Sequence, residues 1–384
     1  MNLRTLQLGL HWQPENAGGL NRVYYDCIKY LPQVGVTLNG LVAGSTSVLQ
    51  NSNGIVRSFA SPSASLWHRW QSLRENFFQL LQENDYDLIV SHFALYTFPV
   101  LDQLGDRPLV IHFHGPWASE SRVAGSNIIS VWLRKNLEQI TYQQATKFVV
   151  LSQAFREILH QEYRVPFEQI QIVSGGVEVE QFNIALSPNE ARTKLGWSQE
   201  RSIILAIRRL EKRMGLENLI AALAQVRQKE PDVLLLIAGK GTLEPVLKQQ
   251  IVDLELTNHV RLLGYLPEQN LALAYRAANF SVVPTVALEG FGLIVIESLA
   301  TGTPVLGTPV GGIPEILQPF SENLLFESCS TQHLAQGIIE VLSGQRQLPS
   351  HLACQTYVKE NYAWPAIAQQ IKSVYQKALL GNSY

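Results

Sequence analysis

Short apolar runs alternate with longer amphipathic segments along most of the chain. The first series of runs lies at residues 3–10, 35–43, 85–92, 108–114, 147–152 and 170–173. A second series follows at residues 202–207, 233–238, 260–263, 280–283 and 304–306. Strands that alternate with helices at this interval are typical of parallel, doubly wound sheets. The pattern therefore predicts an α/β protein with two sets of parallel strands.

A polar stretch separates the two series. Residues 183–201 contain Pro188 and only one short helix-compatible segment, at 190–195. The chain has 384 residues, which is enough for two domains of ordinary size. We therefore expect the domain boundary near this stretch.

Composition narrows the class of protein. Hydrophobic residues make up 46% of the chain, so large cores are expected and disorder is not. The formal net charge of −2 argues against electrostatic binding of nucleic acid, so any phosphate site must be local. Cys27, Cys329 and Cys354 are odd in number and lack metal-ligand spacing, which is typical of reduced thiols in a cytosolic protein. We expect no bound metal and no cofactor.

The sequence also bears on membranes. The apolar run in the opening segment is too short for a signal peptide. No stretch reaches the roughly 20 apolar residues that a membrane-spanning helix needs. Residues 65–82 form an aromatic-rich amphipathic helix with His68, Arg69 and Arg74 among its polar positions. That helix either packs on a sheet or lies on an anionic membrane surface. A cytoplasmic location is expected, and peripheral association at the inner face of the membrane stays open as an alternative.

The richest chemistry lies between Pro284 and Glu315. A loop containing Glu289 leads into an apolar, helix-compatible run at 293–300, which includes Glu297. A helix start presents unpaired amides and a positive dipole end, which suit phosphate. Carboxylates accept hydrogen bonds from hydroxyl groups, so the segment predicts a site for a phosphorylated, polyhydroxylated ligand. The structural alternative is that Glu289 caps the helix and Glu297 is a solvated helix residue.

Further polar residues follow other predicted strands. Gly18 and Gly19 stand between the first strand and a helical segment, without the glycine pattern of dinucleotide-binding loops or a phosphate-loop lysine, so dehydrogenase and kinase activities are set aside. His92 and His114 end two strands, where open α/β sheets bind ligands. His112 should be a packing residue one layer deeper.

A basic cluster follows the first strand of the second series. It consists of Arg208, Arg209, Lys212 and Arg213. A diphosphate needs cations, and arginine suits paired phosphate oxygens. The alternative is a solvated turn, which is common for runs of charge.

These segments resemble the retaining, nucleotide-sugar-dependent glycosyltransferases with the GT-B fold, in the family 4 or group 1 type. The resemblance rests on the glutamates Glu289 and Glu297, eight positions apart, on His114-Gly115 and on the glycine-rich segment at 174–182. It implies two facing Rossmann-like domains with parallel sheets and a cleft between them. It further implies an acceptor-side domain at 1–182, a donor domain at 183–360 and a final helix at 361–384 that returns to the first domain.

The resemblance also assigns roles to residues. Glu289 would contact the transferred sugar, Glu297 the ribose, and His114 the sugar at the reaction centre. The family holds the diphosphate with an arginine, here Arg209, and a lysine, whose place is taken by Met214. We therefore expect Lys212 or Arg213 to supply the second charge. The remaining expected binding residues line the phosphates, sugar or base: Gly18, Gly19, Gly264, Tyr265, Gly290, Phe291, Gly292, Leu293 and Ile294.

The implied activity is metal-independent transfer of a hexosyl group with retention of configuration. The donor would be a UDP-sugar, favoured over a GDP-sugar, and the acceptor a hydroxyl of a glycan, lipid-linked or small molecule. Nucleic acid is not an expected partner. A nucleotide-sugar epimerase, a sugar phosphorylase and a catalytically silent binding subunit remain as alternatives.

Overall fold

The computed structural model describes residues 3–123 and 125–380. Internal contacts divide the chain into two compact units. The first runs through Gly175 and resumes at Trp364, and the second is Gly176–Ala363. The sequence-based boundaries were 182/183 and 360/361.

Parallel strands form the core of both units. They are β1 (Leu3–His11), β2 (Val36–Ala43), β3 (Val56–Ala60), β4 (Leu88–Ser91), β5 (Leu109–Phe113), β6 (Lys147–Val150), β7 (Ile170–Ile172), β8 (Ser202–Ile207), β9 (Val233–Ala238), β10 (Val260–Gly264), β11 (Phe280–Val283) and β12 (Val305–Gly307).

Helices connect the strands. They are α1 (Gly19–Tyr30), α2 (Val48–Asn51), α3 (Leu66–Glu83), α4 (Ala94–Thr97), α5 (Trp117–Val123), α6 (Ile128–Gln143), α7 (Gln153–Tyr163), α8 (Val179–Phe182), α9 (Pro188–Leu195), α10 (Leu216–Val226), α11 (Glu244–Asp253), α12 (Leu271–Ala277), α13 (Leu293–Ala300), α14 (Ile313–Leu317), α15 (Thr331–Leu342), α16 (His351–Asn361) and α17 (Trp364–Leu380).

The first unit is built on a seven-stranded parallel sheet in the order β3-β2-β1-β4-β5-β6-β7. The edge strand β3 was not predicted, because its sequence of five residues has no sustained apolar run. The final helix α17 packs in this unit. The ring of its Trp364 stacks on Tyr30, and the hydroxyl of its Tyr375 lies 2.8 Å from Nε2 of His112.

Helix α3 packs on this sheet, which is one of the two alternatives that the sequence left open for residues 65–82. Leu73, Phe77 and Leu80 recur at helical spacing and are fully buried, while Trp67 and Phe78 remain exposed. Ser65 caps the helix by accepting a hydrogen bond from the amide of His68. Within residues 3–123 and 125–380, no helix is long and apolar enough to cross a membrane.

The second unit contains a five-stranded parallel sheet in the order β10-β9-β8-β11-β12. The two parallel sheets confirm the predicted α/β fold class. The segment after Gly175 belongs to this unit because the amide of Val177 donates to the carbonyl of Tyr362 over 2.9 Å.

Candidate functional site

In the second unit, β8 lies between β9 and β11, so the loops that follow these three strands are neighbours. The amide of Arg208 donates to the carbonyl of Ala238 over 2.9 Å, and the amide of Val286 donates to the carbonyl of Arg213 over 2.9 Å. The loop after β8 approaches the loop after β11 so closely that position 215 must be glycine. A Cβ at Gly215 would lie 1.8 Å from the carbonyl oxygen of Pro284. The basic loop after β8 and the glutamate loop after β11 therefore form one surface.

A buried ion pair joins these two loops. Nη2 of Arg208 lies 2.5 Å from Oε2 of Glu289 and 2.5 Å from Oγ1 of Thr285. The hydroxyl of Thr285 also lies 3.2 Å from Oε2 of Glu289. The two charged side chains are only 7% and 14% exposed. Burial by itself raises the pKa of Glu289, but Arg208, Arg213 and Thr285 outweigh it and hold that pKa below its ordinary value.

The backbone of Glu289 is held as firmly as its side chain. A Cβ at Gly311 would lie 1.8 Å from the carbonyl oxygen of Glu289, and the amide of Gly312 donates to that oxygen over 3.1 Å. Leu288 has a φ of 54°, an uncommon value for a branched residue. Its carbonyl accepts a 2.7 Å hydrogen bond from Nη1 of Arg213. The strained turn thus presents Glu289 in one conformation.

Helix α13 begins directly after this turn. Gly292, with a φ of 102°, precedes the first helical residue, Leu293. The early amides of α13, at Leu293 and Ile294, have no preceding helical turn to supply acceptors, so this end suits an anion. Gly290 and buried Phe291 complete the loop.

Glu297 lies in the same helix and is 9% exposed, with the hydroxyl of Tyr275 3.4 Å from its carboxylate. The alternative reading of Glu297 as a solvated helix residue is therefore wrong. Glu297 is thus a buried carboxylate in α13, the helix whose first amides suit an anion.

The basic cluster divides into buried and exposed members. Arg209 and Lys212 are exposed and Arg213 is partly buried, whereas Met214 is buried. Sequence reasoning named Arg208 among the cations but missed its pairing with Glu289. Nearby, Gly264 accepts a 2.8 Å backbone hydrogen bond from Gly239, and the ammonium of Lys240 lies 5.6 Å from the ring centre of exposed Tyr265.

In the first unit, the predicted glycines mark a helix start. Gly18 precedes α1 and Gly19 is its first residue. Asn21 steadies this turn: its Oδ1 accepts from the amide of His11 over 3.2 Å, and its Nδ2 donates to the carbonyl of Asn16 over 2.9 Å. Strand, glycine turn and helix therefore follow in the predicted order.

Three histidines stack at the ends of β4 and β5. The rings of His92 and His112 are 4.4 Å apart, and Nδ1 of His92 lies 3.1 Å from Nε2 of His114. Burial lowers the pKa of all three and brings that of His114 to about 3. The imidazoles are therefore neutral at physiological pH. His112 is buried against Tyr375, in keeping with the packing role expected for it.

One group of metal-ligating side chains stands out among the described residues. Ligand atoms of Cys27, His92 and His112 lie within 4.8 Å of one another. Protein groups already engage both nitrogens of His92, since Oε1 of Gln7 lies 3.3 Å from its Nε2. Burial also raises the pKa of the Cys27 thiol, which opposes the thiolate a metal needs. These donors suit a hydrogen-bonded core better than a metal centre.

Glu138 supports the segment after His114. Its carboxylate accepts hydrogen bonds from the amides of Trp117 and Ala118, at 2.9 and 3.2 Å, and from the hydroxyl of Tyr163 at 2.8 Å. These amides open α5, so Glu138 caps that helix from the neighbouring helix α6. Burial raises the pKa of Glu138 to about 7 although these hydrogen bonds act in the opposite direction.

A parallel α/β unit that gathers arginines, a buried carboxylate and a helix start at its strand ends has the features of a nucleotide-binding protein. A family profile described as Glycosyltransferase Family 4 matches residues 17–181, and one described as Glycosyl transferases group 1 matches residues 188–361. The chain belongs to the group 1 glycosyltransferases.

Known proteins agree with this assignment. A GDP-mannose-dependent monoacylated alpha-(1-6)-phosphatidylinositol monomannoside mannosyltransferase of Corynebacterium glutamicum is 29% identical over 53% of this chain and 55% of its own. An uncharacterized glycosyltransferase of Methanocaldococcus jannaschii is 27% identical over 63% of this chain and 63% of its own. This chain therefore spans less than two thirds of the length of either relative. Two solved structures share the fold at 22% identity. The structure of a sucrose-phosphate synthase from Thermosynechococcus elongatus has a TM-score of 0.84, and the match covers 98% of this chain and 99% of that one. The structure of Anabaena HepE with UDP and glucose has a TM-score of 0.79, and the match covers 98% of this chain and 100% of that one.

Proposed function

We propose that this protein is a retaining, metal-independent glycosyltransferase that moves a hexosyl group from a nucleotide-diphosphate sugar to an acceptor hydroxyl. The observation that supports this most is the buried Arg208–Glu289 pair next to the start of α13. An ionised, rigidly held carboxylate accepts hydrogen bonds from sugar hydroxyls, and the helix start attracts the diphosphate.

Charge development explains how these groups accelerate transfer. As the bond from the anomeric carbon to the diphosphate breaks, negative charge grows on the phosphate oxygens and positive charge on the sugar. Arg209, Lys212 or Arg213, with the amides of Leu293 and Ile294, would stabilise the leaving group electrostatically. Glu289 would hold the sugar and Glu297 the ribose. Because these groups are fixed before reaction, little reorganisation is needed.

Retention requires that the acceptor oxygen arrive on the face from which the diphosphate leaves. In this proposal a leaving phosphate oxygen accepts the proton of the acceptor hydroxyl as the new bond forms. Neutral His114 contributes a hydrogen bond to the sugar without transferring its own proton. No metal is required, because the arginines, lysine and helix start supply the positive charge.

The donor is proposed to be a UDP-sugar, with a GDP-sugar as the second candidate. HepE was solved with UDP and glucose, and the corynebacterial relative is named for GDP-mannose. A glycan, lipid-linked or small-molecule hydroxyl would be the acceptor, and that relative's name specifies a phosphatidylinositol mannoside.

Peripheral association with the inner face of the membrane is part of the proposal. Ile128, Ile129 and Trp132 share one face of α6 and are each more than half exposed. Arg134 and Lys135 follow on the next turn; Lys135 pairs with Glu162 at 3.1 Å, so Arg134 is the charge that suits an anionic lipid surface. Co-sedimentation with phosphatidylglycerol vesicles should exceed that with phosphatidylcholine vesicles and should fall in Trp132→Ser. Equal recovery with both would contradict this part.

A transfer assay tests the function directly. The protein is incubated with a panel of UDP- and GDP-hexoses and candidate hydroxyl acceptors, with magnesium or with EDTA, and the product's anomeric configuration is read by NMR. We expect transfer with retention and the same rate in EDTA. Conversion of donor without acceptor would favour an epimerase, and phosphate-dependent cleavage a phosphorylase. Donor binding without turnover would favour a silent subunit.

A further inference from the structure

Arg208 occupies a position that the proposed function leaves unexplained. It lies immediately before Arg209 and follows β8 directly. Its side chain does not extend into solvent but is buried with Glu289 and Thr285. At the same time Met214, where the family has a phosphate-binding lysine, is buried and carries no charge.

The contacts of Arg208 are directed at the carboxylate. A single atom, Nη2, serves both Oε2 of Glu289 and the hydroxyl of Thr285. The Nε–H of the same guanidinium is buried and has no hydrogen-bond partner among the described residues. An unsatisfied buried donor opposes folding, so the placement of this arginine is better explained by what it does to Glu289 than by stability alone.

We propose that Arg208 is a positioning residue that fixes the Glu289 carboxylate, ionised and in one orientation, for contact with the donor sugar. This inference rests on the proposed function. Arg208 acts through Glu289 and is assigned no contact with the substrate.

Electrostatics explains why such a residue is needed here. A bare carboxylate next to a diphosphate site would repel the donor, and a buried one without a cation would take up a proton. A protonated Glu289 would offer one acceptor fewer to the sugar hydroxyls. The guanidinium of Arg208 removes both problems, because it cancels the charge and keeps the oxygens as acceptors.

The first test measures donor KM and kcat from pH 5.5 to 8.5 in wild type, Arg208→Lys and Arg208→Met. We expect Arg208→Met to lose kcat by about tenfold more at pH 6 than at pH 8, because only Arg213 and Thr285 then oppose the effect of burial and the pKa of Glu289 rises. Arg208→Lys should restore the flat wild-type profile. Arg227→Met is the matched control, since Arg227 pairs with exposed Glu255 at 3.7 Å in the same unit. A wild-type profile in Arg208→Met would overturn the proposal.

The second test does not need activity. Thermal unfolding is followed from pH 4 to 8 in wild type, Arg208→Met and Arg208→Met/Glu289→Gln. In wild type the lowered pKa of Glu289 adds stability above pH 4.5 that is lost as the pH falls. In Arg208→Met the raised pKa reverses the sign, so Tm relative to wild type should drop as the pH rises, and Glu289→Gln should remove that drop.

The two outcomes separate the claims. If the sign reversal occurs but no donor is turned over by wild type, the ion pair holds Glu289 as inferred and the proposed function is wrong. If wild type transfers sugar and Arg208→Met shows neither reversal nor an altered pH profile, the role of Arg208 is wrong.

Discussion

The two units bury polar groups in opposite ways. In the second unit, Glu289 is buried beside Arg208, and its pKa is lowered. In the first unit, His92 and His112 are buried and His114 is partly buried, all without a countercharge, and their pKa values are lowered so that they are neutral. Glu138 is likewise buried, and its pKa is raised to about 7. The second unit therefore stabilises the charged form of Glu289, whereas burial in the first unit favours the neutral forms of these side chains.

This difference matches the two tasks of a transferase. A departing diphosphate gains charge and is stabilised by fixed cations and dipoles. The transferred sugar carries neutral hydroxyl groups, and in the proposed function neutral His114 contributes a hydrogen bond to it without adding a competing charge. The contrast leads to four predictions. Similar effects of the substitutions in the two units would count against the contrast.

The largest effect is expected at Glu289. Glu289→Ala should lower transfer by about 10³-fold, because it removes a fixed contact to the sugar. It should also lower the free energy of unfolding by about 3 kcal/mol, because Arg208 is left buried and unpaired. Circular dichroism should show the fold retained. The control is Glu244→Ala, whose exposed carboxylate pairs with Lys248 at 2.7 Å. Equal activity in both variants would contradict the assignment.

Glu138 should have the next largest effect, on stability. Its folded pKa of about 7 exceeds the ordinary value of 4.5, so the folded state holds a proton that the unfolded state loses. Stability should therefore fall as the pH rises through this window, by up to about 3 kcal/mol. Glu138→Gln should flatten this dependence in thermal unfolding, and Glu75→Gln, on the exposed side of α3, should not. An unchanged slope in Glu138→Gln would count against the assignment.

Glu297 should mainly affect donor binding. Glu297→Ala should raise the donor KM by about 30-fold with a smaller change in kcat, because a charged hydrogen bond to the ribose is lost. Isothermal titration with the free nucleoside diphosphate checks this without turnover. A fall in kcat alone would indicate that Glu297 contacts the reacting sugar rather than the ribose.

The smallest effect is expected at His114. His114→Ala should lower transfer about tenfold, the value of one neutral hydrogen bond. Since burial brings the pKa of His114 to about 3, the wild-type rate should show no His114 titration between pH 5 and 8. An inflection in that range that disappears in His114→Ala would make the histidine an acid or base.

The sequence predicted much of this molecule because the relevant signals are local. The Glu-Gly-Phe-Gly loop, the helix start and the strand ends each lie within a few residues. The pairing of Arg208 with Glu289 was missed because 81 positions separate the two residues. They meet only because β8 and β11 are adjacent in the sheet, which apolar patterning does not specify.

The most direct measurement is the thermal stability of the purified protein with UDP-, GDP- and ADP-sugars and free nucleotides, with and without magnesium. A ligand that binds only the native state must raise Tm. We predict that one nucleotide class raises Tm equally in both conditions and that Glu297→Ala reduces the shift. No shift with any nucleotide, or a shift that requires magnesium, would contradict the account.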